Sequence, residues 1–228
     1  MAVYPFNNET LANDVSPYKG IGHAVGTTFS PGIYGEPGGS IEIQGTADSY
    51  IELQKTGTLD TRKSITIVLY VYPLGSAGPI VNYKKDGHGV QLYESDSNGR
   101  GTLAARINRR NQNYKPEIRK VGILRSNEWH FVGVSYNWST GVVKLWHNRQ
   151  QVASKDIGRT EIATQFDVRV GARQIVNDFY FGGRVACLQF YSKALTQRQI
   201  DKAQIACKPC KLKQIFRKII LLYKKKSD

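Results

Sequence analysis

The sequence FGGRVACLQFYSKALTQRQI, residues 181–200, joins an apolar run to a short segment of polar helix-forming residues. Its first part, residues 184–191, has β-forming residues on both faces, which is typical of a strand covered on both sides of its sheet. One predicted face carries Ala186, Leu188 and Phe190, and the other carries Val185, Cys187 and Tyr191. This stretch therefore predicts a central strand that is followed directly by a helix.

The helix is predicted to begin after Thr196, which can act as its N-cap, and Gln199 three residues later completes a capping box. The predicted helix covers residues 197–206 and folds back beside the strand. Cys187 on the strand and Cys207 just after the helix are in a position to form a disulfide. This bond would close a loop of about 20 residues and contribute ~3 kcal/mol in the chain-entropy model.

Composition favours one all-β domain followed by a basic tail. The 22 glycines among 228 residues fall between short alternating runs, as in a turn-rich β-sandwich. The formal net charge is +14, and residues 208–228 contribute half of it through eight Lys or Arg against one Asp. We therefore predict a domain at residues 1–207 and a separate tail at residues 208–228.

Alternating runs predict a regular series of short strands. The clearest is residues 64–73, with Ile65, Ile67, Leu69 and Val71 facing inward. Residues 128–137 and 142–147 predict a hairpin that turns at Ser139-Thr140-Gly141. Further strands are predicted at 40–53 (as two strands), 79–83, 89–94, 102–108, 151–157 and 167–171. The pattern indicates an all-β, two-sheet antiparallel jelly-roll sandwich with one short C-terminal helix and a basic helical tail.

Three segments together carry a family resemblance. They are GEPGGSIEIQG followed by SYIEL, then NEWHFVGVSYNWSTGVVKLWHN, and finally the opening stretch at residues 181–200. With them, residues 1–207 resemble the laminin-G-like and pentraxin-like domains of the concanavalin A-like lectin/glucanase superfamily. The resemblance implies a jelly roll of about 12 to 14 strands that usually serves as a non-catalytic extracellular adhesion or recognition module.

The sequence offers no catalytic pair of carboxylates. Glucanase relatives of this fold carry paired carboxylates on one strand, because glycoside hydrolysis needs an acid and a nucleophile or base on either side of the bond. Glu42 and Glu52 fall on different predicted strands, and the four histidines show no metal or triad spacing. We therefore predict that the protein is not an enzyme.

A calcium site is implied by the resemblance, since related domains often hold Ca²⁺ at the rim of the sandwich. Asp48, Asn177 and Asp178 lie on predicted loops that the fold could bring to one rim. Ca²⁺ takes about six to eight oxygen ligands, and ordinary turn residues are the alternative interpretation of these side chains. We predict one weak structural calcium.

A basic cluster lies on what the sequence predicts to be a strand end and a long loop. Its members are Arg106, Arg109, Arg110, Lys115, Arg119, Lys120 and Arg125, with Glu117 as the single acidic residue among them. Arginine pairs with sulfate through its planar fork, so a sulfated glycosaminoglycan is a candidate ligand, and a solvated basic loop is the alternative. The cluster has no nucleic-acid motif or aromatic platform, so we predict no nucleic-acid binding.

Two sequons and the proposed disulfide suit an extracellular setting. Asn8 and Asn137 each begin an Asn-X-Ser/Thr sequence, which is an acceptor for glycosylation in secreted proteins. The first fifteen residues lack the pattern of a signal peptide. The predicted setting is therefore a longer secreted or membrane-anchored parent protein.

The tail has apolar residues at helical spacing among lysines and arginines, which is the pattern of a basic amphipathic helix over residues 211–226. Such a helix could lie on an anionic membrane surface or pack against the sandwich. A third interpretation is that the segment is accidental sequence from a misassigned gene end.

Together these patterns predict a non-catalytic extracellular recognition module that binds a glycan or a glycosylated partner, with or without calcium. The alternative is a structural or adhesive module that contacts proteins only. A glycan-active hydrolase is a further alternative.

Overall fold

The computed structural model describes residues 1–83, 89–95, 100–110, 116–173 and 179–207. Within these ranges the chain forms fifteen β-strands and one α-helix. In chain order they are β1 Ala2–Tyr4, β2 Gly22–Val25, β3 Thr27–Ser30, β4 Ser40–Gln44, β5 Tyr50–Leu53, β6 Ile65–Ser76, β7 Pro79–Tyr83, β8 Gln91–Glu94, β9 Arg100–Arg106, β10 Glu117–Arg125, β11 His130–Asn137, β12 Val142–His147, β13 Gln150–Asp156, β14 Val168–Val170, β15 Gly182–Tyr191 and α1 Gln197–Gln204. None of the described helical segments is long and apolar enough to cross a membrane.

The strands form two antiparallel sheets. The eight-stranded sheet runs β13-β12-β11-β6-β15-β4-β3, and β1 also pairs with β15. The seven-stranded sheet runs β10-β9-β8-β7-β14-β5-β2. Hairpin neighbours alternate with neighbours that are remote in sequence, such as β6 beside β15 and β7 beside β14, as in a jelly roll. The predicted two-sheet sandwich with one short C-terminal helix is confirmed.

The core lies between the sheets and is built by alternation along each strand. On β6 the predicted inward residues Ile65, Ile67, Leu69 and Val71 are all fully buried in this inter-sheet core. The intervening Val68 and Tyr70 face outward and belong to a second apolar cluster beneath α1. The strand therefore has both faces covered, and its sequence is apolar almost throughout for that reason.

The central strand β15 contains a β-bulge that the sequence did not reveal. Cys187 has a φ of 54°, and the β15–β6 register shifts between Ala186 and Gln189. The bulge inserts one residue into the alternation, so the predicted faces were wrong at its N-terminal end. Val185 lies in the inter-sheet core with Leu188 and Phe190, whereas Ala186 and Cys187 both face outward.

The outer face of β15 is covered by α1, which is held by covalent and hydrogen bonds. Cys187 and Cys207 form the predicted disulfide, with their Cα atoms 5.7 Å apart. The Gln189 amide donates to the carbonyl of Ala203 at 2.9 Å, and the Tyr70 hydroxyl donates to that of Gln204 at 3.0 Å. These contacts fix the C-terminal end of the helix to the sheet.

The N-terminus of α1 agrees with the predicted cap. The Thr196 N–H donates to Oε1 of Gln199 at 3.0 Å, which is the reciprocal bond expected of a capping box. The helix ends at Gln204, two residues earlier than predicted. Residues 208–228 lie outside the described residues, so the domain boundary, Cys210 and the amphipathic helix at 211–226 stay predictions.

Four strands of the sandwich, β1, β2, β3 and β10, were not predicted from the sequence. β2 and β3 are edge strands whose residues are mostly exposed, so they lack the alternation that marks a half-buried strand. Residues 117–125 were interpreted as a long loop, but they form the edge strand β10, in which only Ile118 and Leu124 are buried. The charged side chains of β10 concealed its pairing with β9.

Replacement of both bridged cysteines, Cys187→Ala with Cys207→Ala, is expected to lower the free energy of unfolding by ~3 kcal/mol, because the unfolded chain regains the entropy of a closed loop. For a chain of this size the melting temperature would fall by roughly 6–12 °C. Thermal unfolding with and without reductant measures the effect. Reductant should destabilise the wild type by a similar amount and leave the double variant unchanged; an equal response of both proteins would contradict the role of the bond.

Candidate functional site

A continuous row of polar residues crosses the outer face of the seven-stranded sheet, with one residue from each strand. Cross-strand pairing places its members directly beside one another in the order His23, Glu52, Arg169, Asn82, Gln91, Arg106 and Glu117. Paired residues of an antiparallel sheet point to the same face. Their neighbours along each strand, such as Ile51, Val168 and Leu92, lie in the inter-sheet core. We call these seven residues the polar row.

The charged members of the polar row form ion pairs on either side of its centre. Arg169 Nη2 lies 2.8 Å from Glu52 Oε2, and Arg106 Nη2 lies 2.8 Å from Glu117 Oε2. The Tyr93 hydroxyl also donates to Glu117. Burial raises the pKa of Glu117, but the hydrogen bonds from Tyr93 and Arg106 outweigh it and hold this pKa below its ordinary value. Glu117 is therefore a fixed negative charge that orients Arg106.

The centre of the polar row is formed by two buried amides. Asn82 and Gln91 are 1% and 0% exposed, and neither the oxygen nor the nitrogen of either amide has a hydrogen-bond partner among the described residues. Buried polar groups in proteins are almost always bonded, and an unmet group costs about 1–3 kcal/mol. Four unmet donor and acceptor atoms side by side are the chemistry expected of a site for a polar ligand.

Aromatic rings flank the two amides. Arg169 lies over the ring of Tyr50 at 4.0 Å, and Arg106 lies over that of Tyr93 at 5.1 Å. Phe179 contacts Tyr93 edge to face, with ring centroids 6.2 Å apart. Arginine over an aromatic face is a favourable cation–π arrangement that also fixes the guanidinium in place. Amides beside aromatic rings can bind a saccharide, which has hydroxyl groups on its edge and C–H groups on its face.

The predicted basic cluster does not form one exposed loop. Arg106 belongs to the polar row, while Arg110 forms a two-point pair with Asp60 at 2.9 and 3.0 Å. Arg109 Nη2 donates to the carbonyl of Ile157 at 3.2 Å. Arg119 and Lys120 are exposed on β10, and Lys115 lies outside the described residues. Polyanion binding by these residues stays a prediction, but the guanidinium of Arg110 is already paired within the fold.

The predicted calcium ligands are only partly described. Asp48 lies on the turn between β4 and β5, where its carboxylate accepts a hydrogen bond from Thr46 at 2.6 Å. Asn177 and Asp178 lie outside the described residues. In the described ranges no three His, Cys, Asp or Glu side chains are grouped closely enough to hold a metal ion. Of the three predicted ligands the described residues include Asp48 alone, so calcium binding stays a prediction.

The sequons lie in turns at the surface. Asn8 is exposed, and its N–H donates to the carbonyl of Gly38 at 2.9 Å. Asn137 begins the β11–β12 turn, where its Oδ1 accepts the Ser139 N–H at 3.0 Å. Glycosylation at both positions stays a prediction.

The two carboxylates weighed for catalysis lie on different sheets. Glu42 on β4 accepts Arg184 Nε at 2.9 Å and the Ser30 hydroxyl at 2.7 Å, and both lie on the outer face of the eight-stranded sheet. Glu52 belongs to the polar row on the opposite outer face. Two carboxylates so placed cannot flank a single glycosidic bond.

Two histidines of the β11–β12 hairpin, at the start of β11 and the end of β12, form a close pair. His130 Nδ1 and His147 Nε2 are 3.0 Å apart, and His130 Nε2 lies 3.0 Å from the backbone of Arg125. Burial lowers the pKa of both rings, and proximity to His130 further lowers that of His147 to about 4. The hairpin register could have indicated this pair. His147 lies opposite Val132, which is two residues after His130 on the same strand.

A cavity of about 310 Å³ lies on the other side of the molecule, beside α1. It is bordered by Met1, Tyr191 and Leu195, with Lys193 and Lys202 at its margin. None of these lining residues has a buried polar side-chain atom that lacks a hydrogen-bond partner, whereas Asn82 and Gln91 of the polar row do. The polar row is therefore the stronger candidate for specific recognition.

Comparison with known proteins identifies the same fold. A laminin G family model, described as the concanavalin A-like lectin/glucanases superfamily, matches residues 44–201. No curated protein matches the chain in sequence.

Three solved structures illustrate the likeness. A structure of botulinum neurotoxin type C, whose cell entry depends on interaction with two ganglioside molecules, has a TM-score of 0.71 at 13% identity, covering 92% of this chain and 51% of that chain. The binding domain of botulinum neurotoxin DC in complex with rat synaptotagmin II has a TM-score of 0.69 at 12% identity, with coverages of 90% and 51%. The binding domain of Paraclostridial Mosquitocidal Protein 1 has a TM-score of 0.66 at 17% identity, with coverages of 88% and 51%. The chain thus spans about half the length of these structures, and the likeness establishes a shared fold.

Acidification is expected to destabilise the protein through the histidine pair. The folded pKa of His147, about 4, is below the unfolded value of ~6.5, so its contribution to stability is complete above pH ~6.5 and is lost as the pH falls toward 4. Between pH 7 and pH 5 the loss is about 1–2 kcal/mol. Melting temperatures of wild type and His147→Gln across this range measure it. The variant should show a shallower dependence and exposed His23→Gln should match the wild type; parallel curves for wild type and His147→Gln would refute the assignment.

Arg110→Ala is expected to lower the free energy of unfolding by about 2–4 kcal/mol, because it leaves the largely buried carboxylate of Asp60 without its ion-pair partner. Urea unfolding gives the value. Arg119→Ala is the matched control, since its side chain is 67% exposed, and it should change stability by less than about 0.5 kcal/mol. Equal effects of the two substitutions would show that Arg110 is not a structural residue.

Proposed function

Because the chain belongs to the laminin G family of the concanavalin A-like lectin/glucanases superfamily, we propose that it is a non-catalytic recognition module that binds a glycan on the outer face of the seven-stranded sheet. The observation that carries this proposal is the pair of buried, unpartnered amides of Asn82 and Gln91 at the centre of the polar row.

A glycan matches the chemistry of this face better than an apolar ligand does. The amides offer both donors and acceptors, which suits hydroxyl and acetamido groups that are themselves both donors and acceptors. Tyr50 and Phe179, which are partly exposed, provide ring surface for the apolar face of a sugar. The sheet holds all of these groups on rigid strands, so little conformational entropy is lost on binding.

We propose a module without catalytic activity because of the positions of its two candidate carboxylates. Glu42 and Glu52 lie on opposite outer faces, and each is paired with an arginine. Hydrogen bonds from Ser30 and Arg184 hold the pKa of Glu42 below its ordinary value, whereas the general acid of a glycosidase needs a raised pKa. Binding without hydrolysis is the function that this arrangement supports best.

We also place the protein outside the cell. The Cys187–Cys207 disulfide is favoured in an oxidising compartment, and the sequons at Asn8 and Asn137 lie in surface turns. Calcium assistance through Asp48 is retained as part of the proposal, to be tested alongside the glycan. Membrane contact through residues 211–226, which lie outside the described residues, is a separate proposal.

Recognition of a protein partner is the second candidate. It is favoured by the neurotoxin DC relative, whose binding domain is in complex with synaptotagmin II. A module of this kind would bind through exposed surface without needing the buried amides. The two candidates therefore differ in whether Asn82 and Gln91 matter for binding.

A glycan array probed with the full chain, with and without millimolar Ca²⁺, tests the proposal. We expect binding to a defined set of saccharides that falls by about 10- to 100-fold in the Asn82→Leu/Gln91→Met double variant, since at least two hydrogen bonds are lost. The same variant should melt at an equal or higher temperature than wild type, because two unmet buried amides are replaced by apolar groups of similar size.

Gln151→Met is the matched control, because Gln151 is an exposed amide on β13 of the other sheet. It should bind as wild type does. A blank array, or full binding by the double variant, would overturn the glycan site. Identical binding without Ca²⁺ would remove calcium from the proposal.

A further inference from the structure

Beside the polar row lies a half-buried arginine that has no acidic partner among the described residues. Arg173 follows β14, and its Cζ lies 5.1 Å from the ring centroid of Phe179. Its Nε has no hydrogen-bond partner, and no carboxylate of the described residues forms an ion pair with it. A buried positive charge without compensation is costly, so such a group is seldom retained without a counter-charge.

The other arginines of the outer faces show how this fold ordinarily treats a guanidinium. Arg106 is paired with Glu117, Arg169 with Glu52 and Arg184 with Glu42, at 2.8, 2.8 and 2.9 Å respectively. Arg173 differs from these three, because no carboxylate of the described residues forms an ion pair with it.

A second positive charge, that of Arg106, lies near the guanidinium of Arg173. Burial lowers the pKa of Arg173, and the neighbouring charge of Arg106 lowers it further. The guanidinium remains charged at neutral pH, because its ordinary pKa is above about 12. The carboxylates of Glu52 and Glu117 are each held by their own arginine, so neither neutralises Arg173.

Arg173 is connected to the amides through aromatic contacts. Phe179, beneath Arg173, meets Tyr93, and Tyr93 lies two residues from Gln91 on the same face of β8. On the other side, Arg169 Nη1 donates to the backbone carbonyl of Arg173 at 3.3 Å, and Arg169 pairs across the sheet with Asn82. Aromatic contacts and strand pairing thus connect this cation to the two buried amides.

We infer that the glycan bound on this face is acidic, and that its oxyanion binds Arg173 while the amides of Asn82 and Gln91 bind its uncharged polar groups. This inference rests on the proposed function and specifies its ligand class. A guanidinium donates two parallel hydrogen bonds to a carboxylate or a sulfate, and these are stronger than bonds between neutral groups. The ligand oxyanion supplies the counter-charge that the described residues do not.

This site differs from the basic cluster predicted from sequence. Arg173 was not in that cluster, and it lies at the end of β14, near the middle of the sheet rather than on its edge. Of the cluster, only Arg106 contributes. Exposed residues of β10, such as Arg119, would bind any polyanion through long-range attraction, whereas the Arg173 site requires a single oxyanion next to a sugar ring.

The test compares wild type with Arg173→Met, Arg173→Lys and Arg198→Met on matched glycans. The glycans are sialylated oligosaccharides and their desialylated forms, uronate-containing oligosaccharides and their carboxyl-reduced forms, and sulfated oligosaccharides and their desulfated forms. Arg198→Met is the charge-matched control, since Arg198 lies exposed on α1 at the opposite sheet. Melting temperatures verify that each variant is folded.

Wild type is expected to bind acidic glycans at least tenfold more tightly than their neutral counterparts. Arg173→Met should lose this preference, retain binding of the neutral counterparts and melt no lower than wild type. Arg173→Lys should keep part of the preference, and Arg198→Met should keep all of it. A preference seen with the sialylated and uronate pairs identifies the oxyanion as a carboxylate. A preference seen with the sulfated pairs identifies it as a sulfate.

Three results would overturn the inference in distinguishable ways. Equal binding of acidic and neutral glycans refutes the acidic ligand and leaves the proposed function standing. A preference that survives in Arg173→Met but disappears in Arg119→Ala places anion recognition on β10 instead. Binding to no glycan at all refutes the proposed function itself.

Discussion

The β-bulge at Cys187 is the constraint on which the rest of the sandwich depends. Its N–H donates to the carbonyl of Pro5 at 2.9 Å, which brings the N-terminal strand β1 against β15. The inserted residue lets Val185 and Leu188 both reach the inter-sheet core while Cys187 points outward. One irregular residue thus joins the N-terminus, the core and the disulfide to α1.

The disulfide at the bulge holds α1 on one sheet, so the two outer faces differ in character. On the eight-stranded sheet, α1 covers Val68, Ala186 and the disulfide, so much of that face is closed. No helix of the described residues covers the seven-stranded sheet, and its outer face carries polar and charged side chains in register. The outer face of the seven-stranded sheet is therefore not covered by α1, and its charges are arranged by cross-strand pairs and not by loops.

Local patterns predicted those features that depend on nearby residues. Residues 64–73 gave the correct inward face, and the 128–147 hairpin and the Thr196–Gln199 cap were correct, because alternation and capping are local. The bulge was missed because it depends on Pro5, which is remote in sequence.

The candidate site was missed for a related reason. Each member of the polar row is an ordinary polar residue in its own strand, and only the jelly-roll strand order places Asn82 between Arg169 and Gln91. The pairing of Arg110 with Asp60 is likewise invisible without the fold. Sequence patterns revealed charge, but the partner of each charge is fixed by topology.

Because each of seven strands supplies one residue, the proposed recognition surface depends on the register in which the strands pair. A deletion or insertion of one residue within β7 or β8 would turn Asn82 or Gln91 into the core and bring an apolar neighbour to the surface, because side chains alternate. Substitutions can alter one position of the row at a time, whereas length changes are confined to the loops. Ligand preference in such a domain can therefore diverge by point substitution while strand lengths stay constant.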